Sequence, residues 1–126
     1  MSLTKVQILS AQDIKKEKVN IPEWGGDIWV KSLTGKERDA FEKSIMEFSA
    51  EAGVKPKVIY ENMRAKLCVL TVCDDNGLLI FTEDDVEALG KKSAKPLSII
   101  FDLAQKLSGL TEEDVRGLSK NSKSAP

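Results

Sequence analysis

The side chains that could do chemistry in this chain are carboxylates, lysines and two cysteines, because the sequence contains no histidine. Histidine is the commonest general base and metal ligand, and Ser-His and Cys-His nucleophile pairs depend on it. The carboxylates cluster at Glu83-Asp84-Asp85 and at Glu112-Glu113. Each cluster follows a threonine that can cap a helix, and carboxylates stabilise the positive end of a helix dipole. The sequence therefore predicts a protein that is not an enzyme.

The turn that contains Asp74, Asn76 and Gly77 comes nearest to a metal-binding motif. Aligned on the central glycine of an EF-hand loop, Asp74, Asn76 and Glu83 fall at positions three, five and twelve. Position one would be Val72, which has no side-chain oxygen, and position nine is also apolar. We therefore interpret this segment as a helix-ending turn rather than a calcium site, and we expect neither metal nor cofactor.

Two further motifs give no site. Gly35-Lys36 matches the end of a phosphate-binding loop, but Val30 replaces the first glycine and Glu37 replaces the final Ser or Thr. Cys68 and Cys73 lie five residues apart in a run with helical character, which places them well apart around a helix. We therefore expect two buried, reduced thiols rather than a disulfide or a shared metal site.

Trp24 and Trp29 are the residues most typical of a protein-binding surface. Trp29 alternates with Ile28 and Val30, so the three cannot all face one core. Either Ile28 and Val30 point inward while Trp29 covers the other face of the sheet, or Trp29 binds a partner. Trp24 lies beside a Gly-Gly pair, and we expect it to be partly exposed.

A β-hairpin and a following helix must position these residues. Lys18–Ile21 and Asp27–Leu33 alternate like half-buried strands, and the Gly25-Gly26 pair predicts a tight turn with positive φ. A short helix is expected before the hairpin, from about Leu9 with Ser10 as its N-cap. After the hairpin, Thr34 caps a helix that ends at Gly53, and its apolar face consists of Phe41, Ile45, Phe48 and Ala52.

The remaining segments predict a mainly helical body. One central helix runs from about Val58 to Cys73, and Leu78–Phe81 is either a short strand or an extended core segment. Further helices are expected from Thr82 to Gly90, from Ser93 to Gly109 with Leu97 and Phe101 on its apolar face, and from Thr111 onward. The predicted fold class is α+β, with an N-terminal β-hairpin packed on a body of about four to five helices.

The length and composition predict one domain over residues 1–118, followed by a small polar tail, 119–126, that we expect to be disordered. The 19 basic and 20 acidic residues give a formal net charge of -1, which argues against nucleic acid as a partner. No apolar run approaches the roughly 20 residues that cross a bilayer, and the first residues do not match a signal peptide. The sequence thus predicts a cytoplasmic protein without a membrane partner.

The order of several motifs resembles that in the small tail assembly chaperones of long, flexible, non-contractile-tailed bacteriophages and prophages. The resemblance runs from about Leu9 to Asn121, and its strongest element is a strand followed by Leu-Thr-Gly-x-x-Arg-Asp-x-Phe. The segments that carry it are Val19–Gly26, Ile28–Glu42, Arg64–Leu67, Cys73–Gly77, Leu79–Thr82, Asp85–Gly90 and Lys106–Val115.

The resemblance implies a role in building the phage tail, in the bacterial host cytoplasm. Such a protein would keep the tape measure protein soluble, recruit tail tube subunits around it, and be absent from the mature virion. It could also form a homo-oligomer. The alternatives are a cytosolic interaction module in regulation or in another assembly step, then an enzyme, then a calcium sensor. The candidate partner-binding residues are Trp24, Trp29, Phe41, Phe48, Leu97 and Phe101.

Overall fold

The computed structural model describes residues 1–110 of the protein, and in this range a β-hairpin precedes a mainly helical body. The α+β fold predicted from the sequence is confirmed. The helices are α1 (Lys5–Ser10), α2 (Gly35–Ser44), α3 (Met63–Thr71), α4 (Val86–Gly90) and α5 (Ala94–Ser108). The strands are β1 (Lys16–Ile21), β2 (Gly26–Lys31), β3 (Met46–Glu47), β4 (Lys57–Val58) and β5 (Val72–Cys73).

The hairpin forms a three-stranded antiparallel sheet in the order β1-β2-β5, while β3 and β4 make a separate two-stranded pair. Ile21 and Val30 are fully buried, so the inner face of the sheet packs on the helices. A 3₁₀ turn, Pro22–Trp24, joins β1 to β2, and Gly25 after it has φ 77°. Gly26 already belongs to β2, so the prediction that both glycines take positive φ is wrong.

Helices α3 and α5 pack against each other and form the centre of the core. Leu67 and Cys68 on α3, with Ile100 and Ala104 on α5, are completely buried. The limits predicted for α5 are confirmed, because Ser93 is its N-cap residue and Gly109 ends it in the left-handed conformation at φ 68°. Glycine adopts that conformation without the steric cost of a Cβ.

Helix α2 begins as its sequence predicts. The Thr34 side chain accepts from the Glu37 N–H at 3.1 Å, and the Glu37 carboxylate accepts from the Thr34 N–H at 2.9 Å. The same Glu37 carboxylate pairs with the buried Lys31 ammonium at 2.5 Å. One side chain therefore caps α2 and also ties its start to β2.

Helices α2 and α3 are shorter than the sequence predicted. Helix α2 ends at Ser44 instead of Gly53, because the chain turns at Ile45 and Met46–Glu47 pairs with Lys57–Val58. Helix α3 spans Met63–Thr71 instead of about Val58 to Cys73. At its start Val58 pairs with Met46, and at its end Val72 and Cys73 pair with β2. In both cases strand pairing with a distant segment overrides an apolar pattern with helical spacing.

The N-terminal helix lies earlier than predicted. Its N-cap is Thr4, whose side chain and that of Gln7 form a reciprocal capping box, and Ser10 is its last residue. The predicted N-cap at Ser10 is therefore wrong. Every residue of α1 is exposed.

The predicted helix from Thr111, the domain boundary at 118 and the tail 119–126 lie outside the described residues. Within residues 1–110, each helix is too short or too polar to cross a membrane.

Candidate partner-binding surface

Three of the six predicted binding residues belong to the hydrophobic core. Phe41 is fully buried on α2, and Leu97 and Phe101 are each 5% exposed on α5. Their side chains pack inside the molecule, so these three residues do not line an open surface for a partner. Only Trp24, Trp29 and Phe48 among the six reach solvent.

Trp29 covers the outer face of the sheet, opposite the inward-facing Val30. Its indole Nε1 donates to the Asp75 carboxylate at 2.6 Å, and the Lys16 ammonium lies 4.4 Å from the ring centroid. The Lys18 ammonium lies 5.4 Å away. These contacts satisfy the polar edge of the indole and tie the turn at Asp75 to the hairpin, with the cations stabilised over the ring face. Trp29 thus has a structural role on this face.

Trp24 lines an apolar cleft. The cleft has a volume of about 380 Å³ and is open to solvent. Its lining residues are Trp24, Phe81, Asp85, Ala88, Leu89 and Lys92. Trp24 reaches it from the 3₁₀ turn of the hairpin, and the helix α4 supplies the opposite wall. An apolar cleft with one acidic and one basic side chain has the chemistry to hold a few apolar side chains and to orient them.

Phe48 is 67% exposed and follows β3. Its exposure results from the early end of α2, since a continued helix would have turned Phe48 toward Phe41. The loop after it also exposes Val54, and Tyr60 is exposed just before α3. Phe48 is therefore available to a partner, although it is not one of the residues that line the Trp24 cleft.

The cysteines offer no reactive thiol at this surface. Both are free and buried, as the sequence predicted. Burial raises the pKa of the Cys68 thiol from 9.0 to about 12. Burial also raises the pKa of Cys73, and the nearby Lys16 and Lys31 partly oppose that rise. Because the thiolate is the nucleophile and metal ligand, both residues serve as small core side chains.

The turn at Asp74 has a structural role of its own. The Asp74 carboxylate accepts from the Asn76 N–H at 2.8 Å and from the Leu78 N–H at 3.0 Å. Asp85 accepts from the Thr82 N–H at 2.8 Å, which completes the cap before α4. Val72, at the first EF-hand position, is 1% exposed in the core. No cluster of three metal-ligating side chains occurs within residues 1–110.

Two exposed apolar segments were not predicted as functional. Val6 and Leu9 on α1 are 74% and 75% exposed. Leu78 and Ile80, which the sequence analysis assigned to a strand or to the core, are also largely exposed. The signal for α1 was present in the Thr4-x-x-Gln7 capping box, whereas no sequence pattern distinguishes an exposed Leu-Leu-Ile run from a buried one.

Comparison with known proteins gives a consistent result. The family profile described as "Phage tail assembly chaperone" matches residues 2–120. A solved structure of the bacteriophage HK97 tail assembly chaperone superimposes with a TM-score of 0.57 at 18% identity, over 81% of this chain and 94% of that one. At that identity the superposition shows a shared fold. No curated protein sequence matches significantly. On the family match, which spans nearly the whole sequence, the chain belongs to the phage tail assembly chaperones.

Proposed function

We propose that this protein binds a tape measure protein, keeps it soluble, recruits tail tube subunits around it, and leaves before the virion matures. The work would take place in the cytoplasm of the bacterial host. Membership in the chaperone family supports a role in tail assembly and indicates a non-enzymatic one. The client and the order of events are part of the proposal.

The observation that carries the proposal is the open apolar cleft at Trp24. A long helical client can lay its apolar side chains in a hydrophobic groove, anchored every three to four residues. The cleft has room for only a few such side chains. A contact of this size gives moderate affinity, which suits a chaperone because the client must later be released. Asp85 and Lys92 at the cleft can select the charges that flank the client's apolar face.

Co-expression tests the function directly. The tape measure protein of the same phage or prophage would be produced alone and together with this chain, and the soluble fraction of each preparation compared. We expect a clear rise in soluble tape measure protein and its co-purification with the chain. Equal insolubility in both preparations would refute the chaperone function.

A matched pair of substitutions tests the cleft. Ala88→Arg places a long cationic side chain in the cleft, and Ala40→Arg places the same side chain on the exposed surface of α2. Arginine is a good helix former, so both variants are expected to fold. We expect Ala88→Arg to abolish the gain in client solubility and Ala40→Arg to retain it. Equal activity of the two variants would show that the client binds to another surface.

A further inference from the structure

The segment Leu78–Ile80 extends the three-stranded sheet on the side of β5. Leu79 pairs antiparallel with Cys73 as an isolated bridge. The Asp74 N–H donates to the Leu78 carbonyl at 2.9 Å, and the Ile80 N–H donates to the Val72 carbonyl at 3.3 Å. The segment thus lies along the outer edge of the sheet and is joined to it by one isolated bridge.

This edge segment leaves the backbone groups of its central residue available. The two bonds to β5 flank the Cys73–Leu79 pair, so the N–H and C=O of Leu79 point away from β5. Neither group has a backbone partner within residues 1–110. An outward-facing N–H and C=O on a sheet edge can pair with another extended chain.

The side chains on this edge are apolar and exposed. Leu78 is 66% exposed, Leu79 37% and Ile80 53%. The opposite edge of the same sheet differs, because β1 begins with the exposed charged residues Lys16, Glu17 and Lys18. Charged residues, lysine above all, protect an edge strand from pairing with other chains. The Leu78–Ile80 edge lacks that protection.

The charges around the edge indicate what would pair with it. Between Asp74 and Gly90 the chain has six acidic residues and no basic one. They are Asp74, Asp75, Glu83, Asp84, Asp85 and Glu87. Lys16 of β1 also contacts this region, because its ammonium donates to the Asp75 carbonyl, and the acidic residues outnumber it. Such a field attracts cationic side chains and repels anionic ones over about a Debye length, roughly 10 Å in 0.1 M salt.

We propose that the Leu78–Ile80 edge binds an extended segment of a partner protein in which lysine or arginine alternates with apolar side chains. The backbone of Leu79 would supply the pairing, the exposed apolar side chains would supply burial, and the carboxylates would select the cationic segment. The inference goes beyond the proposed function, because it specifies a second mode of recognition at a surface other than the Trp24 cleft.

A peptide probe tests the inference on the full chain. The probe is fluorescein-labelled Lys-Val-Lys-Val-Lys-Val-Lys-amide, with binding measured by anisotropy at low salt. One control replaces lysine by glutamate, and the other is N-methylated along the whole backbone, which keeps charge and side chains but removes strand pairing. We expect at least about tenfold weaker binding for each control, a loss of about 1.4 kcal/mol. Binding of the N-methylated peptide at full strength would overturn the proposal.

Matched variants locate the site. Leu79→Thr removes the apolar side chain at the edge, whereas Val54→Thr removes a similarly exposed one in the loop after β3; Leu79 is 37% and Val54 44% exposed. We expect Leu79→Thr to weaken the basic peptide about tenfold and Val54→Thr to change it less than about twofold. Equal effects would overturn the proposal. Self-association of the chain that Leu79→Thr abolishes would overturn it as well, since a second copy would then occupy the edge.

Different experimental results would refute the two proposals. If the tape measure protein stays insoluble in co-expression while the basic peptide binds at the edge, the client assignment is wrong and the edge assignment stands. If the client becomes soluble and no peptide binds, the edge assignment alone is wrong.

Discussion

Helices α5 and α1 both contain apolar residues at helical spacing, but α5 buries them and α1 exposes them. Helix α5 has 15 residues and buries its apolar face, including Ile100 at 0% and Phe101 at 5% exposure. Helix α1 has 6 residues and buries none, although Val6, Ile8 and Leu9 are apolar. A helix shorter than about 12 residues is marginal in water, and its stability comes mainly from packing. Apolar spacing alone therefore does not assign a residue to the core.

The two helices also begin with different local chemistry. Thr4 and Gln7 form a complete capping box on α1, whereas Ser93 at the start of α5 makes no side-chain capping bond. Helix α5 is therefore stabilised by tertiary contacts, and α1 by local bonds. Local bonds of this kind contribute about 1 kcal/mol each, less than the burial of one large side chain.

The largest effect is expected where α5 meets α3. Ile100→Ala removes a fully buried side chain and leaves a cavity, so we expect the free energy of unfolding to fall by about 2–5 kcal/mol. Urea denaturation followed by circular dichroism measures this loss. A loss below about 1 kcal/mol would show that α5 is less tightly packed than its burial indicates.

The second effect depends on pH and on Cys68 of α3. Burial raises its pKa from 9.0 to about 12, so the folded protein keeps the thiol proton that the unfolded chain releases. The stabilisation from this difference is complete below pH 9 and is lost as the pH rises toward 12, by at most about 1.4 kcal/mol per pH unit. Urea denaturation between pH 8 and pH 11 measures the decline.

Cys68→Ala is the control for that decline, because other groups titrate in the same range. We expect the variant to be less stable at pH 8 and to lose less stability than the wild type between pH 9 and 11. Parallel declines of the two proteins would show that Cys68 ionises in the folded state without cost.

The third effect is at the start of α2, where a capping box supports a packed helix. Thr34→Ala removes the bond from the Glu37 N–H, and we expect a loss of about 1 kcal/mol. Thr4→Ala removes the same bond from α1 and is the matched control. Thermal unfolding of both variants compares them, and equal losses would contradict the inference that α1 is stabilised by local bonds rather than by tertiary contacts.

Much of this fold follows from local chemistry in the sequence. The Thr34 capping box, the hairpin and the stop of α5 at Gly109 are each determined by a few neighbouring residues, and all three were predicted. The end of α2 was not, because it depends on pairing between Met46–Glu47 and Lys57–Val58, which lie ten or more residues apart. Strand pairing over that distance leaves no local pattern in the sequence.

The candidate surface was predictable only in part, for the same reason. Trp24 was expected to be partly exposed because it adjoins a glycine turn, and it is half-buried at the cleft. The apolar helical spacing of Phe41, Leu97 and Phe101 predicts a hydrophobic face, and that face points into the core. Exposure of a large apolar side chain depends on tertiary packing, so Leu78 could not be assigned to the surface from its neighbours.

The smallest effect is expected on α1, where it tests directly whether α1 is less buried than α5. Leu9 is 75% exposed and Leu97 is 5% exposed. The same substitution, leucine to alanine, therefore compares an exposed position on α1 with a buried position on α5. We expect Leu97→Ala to lower the free energy of unfolding by about 2–5 kcal/mol. Leu9→Ala should change it by less than about 0.5 kcal/mol, as is usual for surface substitutions. Both are measured by urea denaturation under identical conditions. A loss above about 1 kcal/mol for Leu9→Ala would mean that α1 packs on the body in solution, and its apolar residues would then belong to the core.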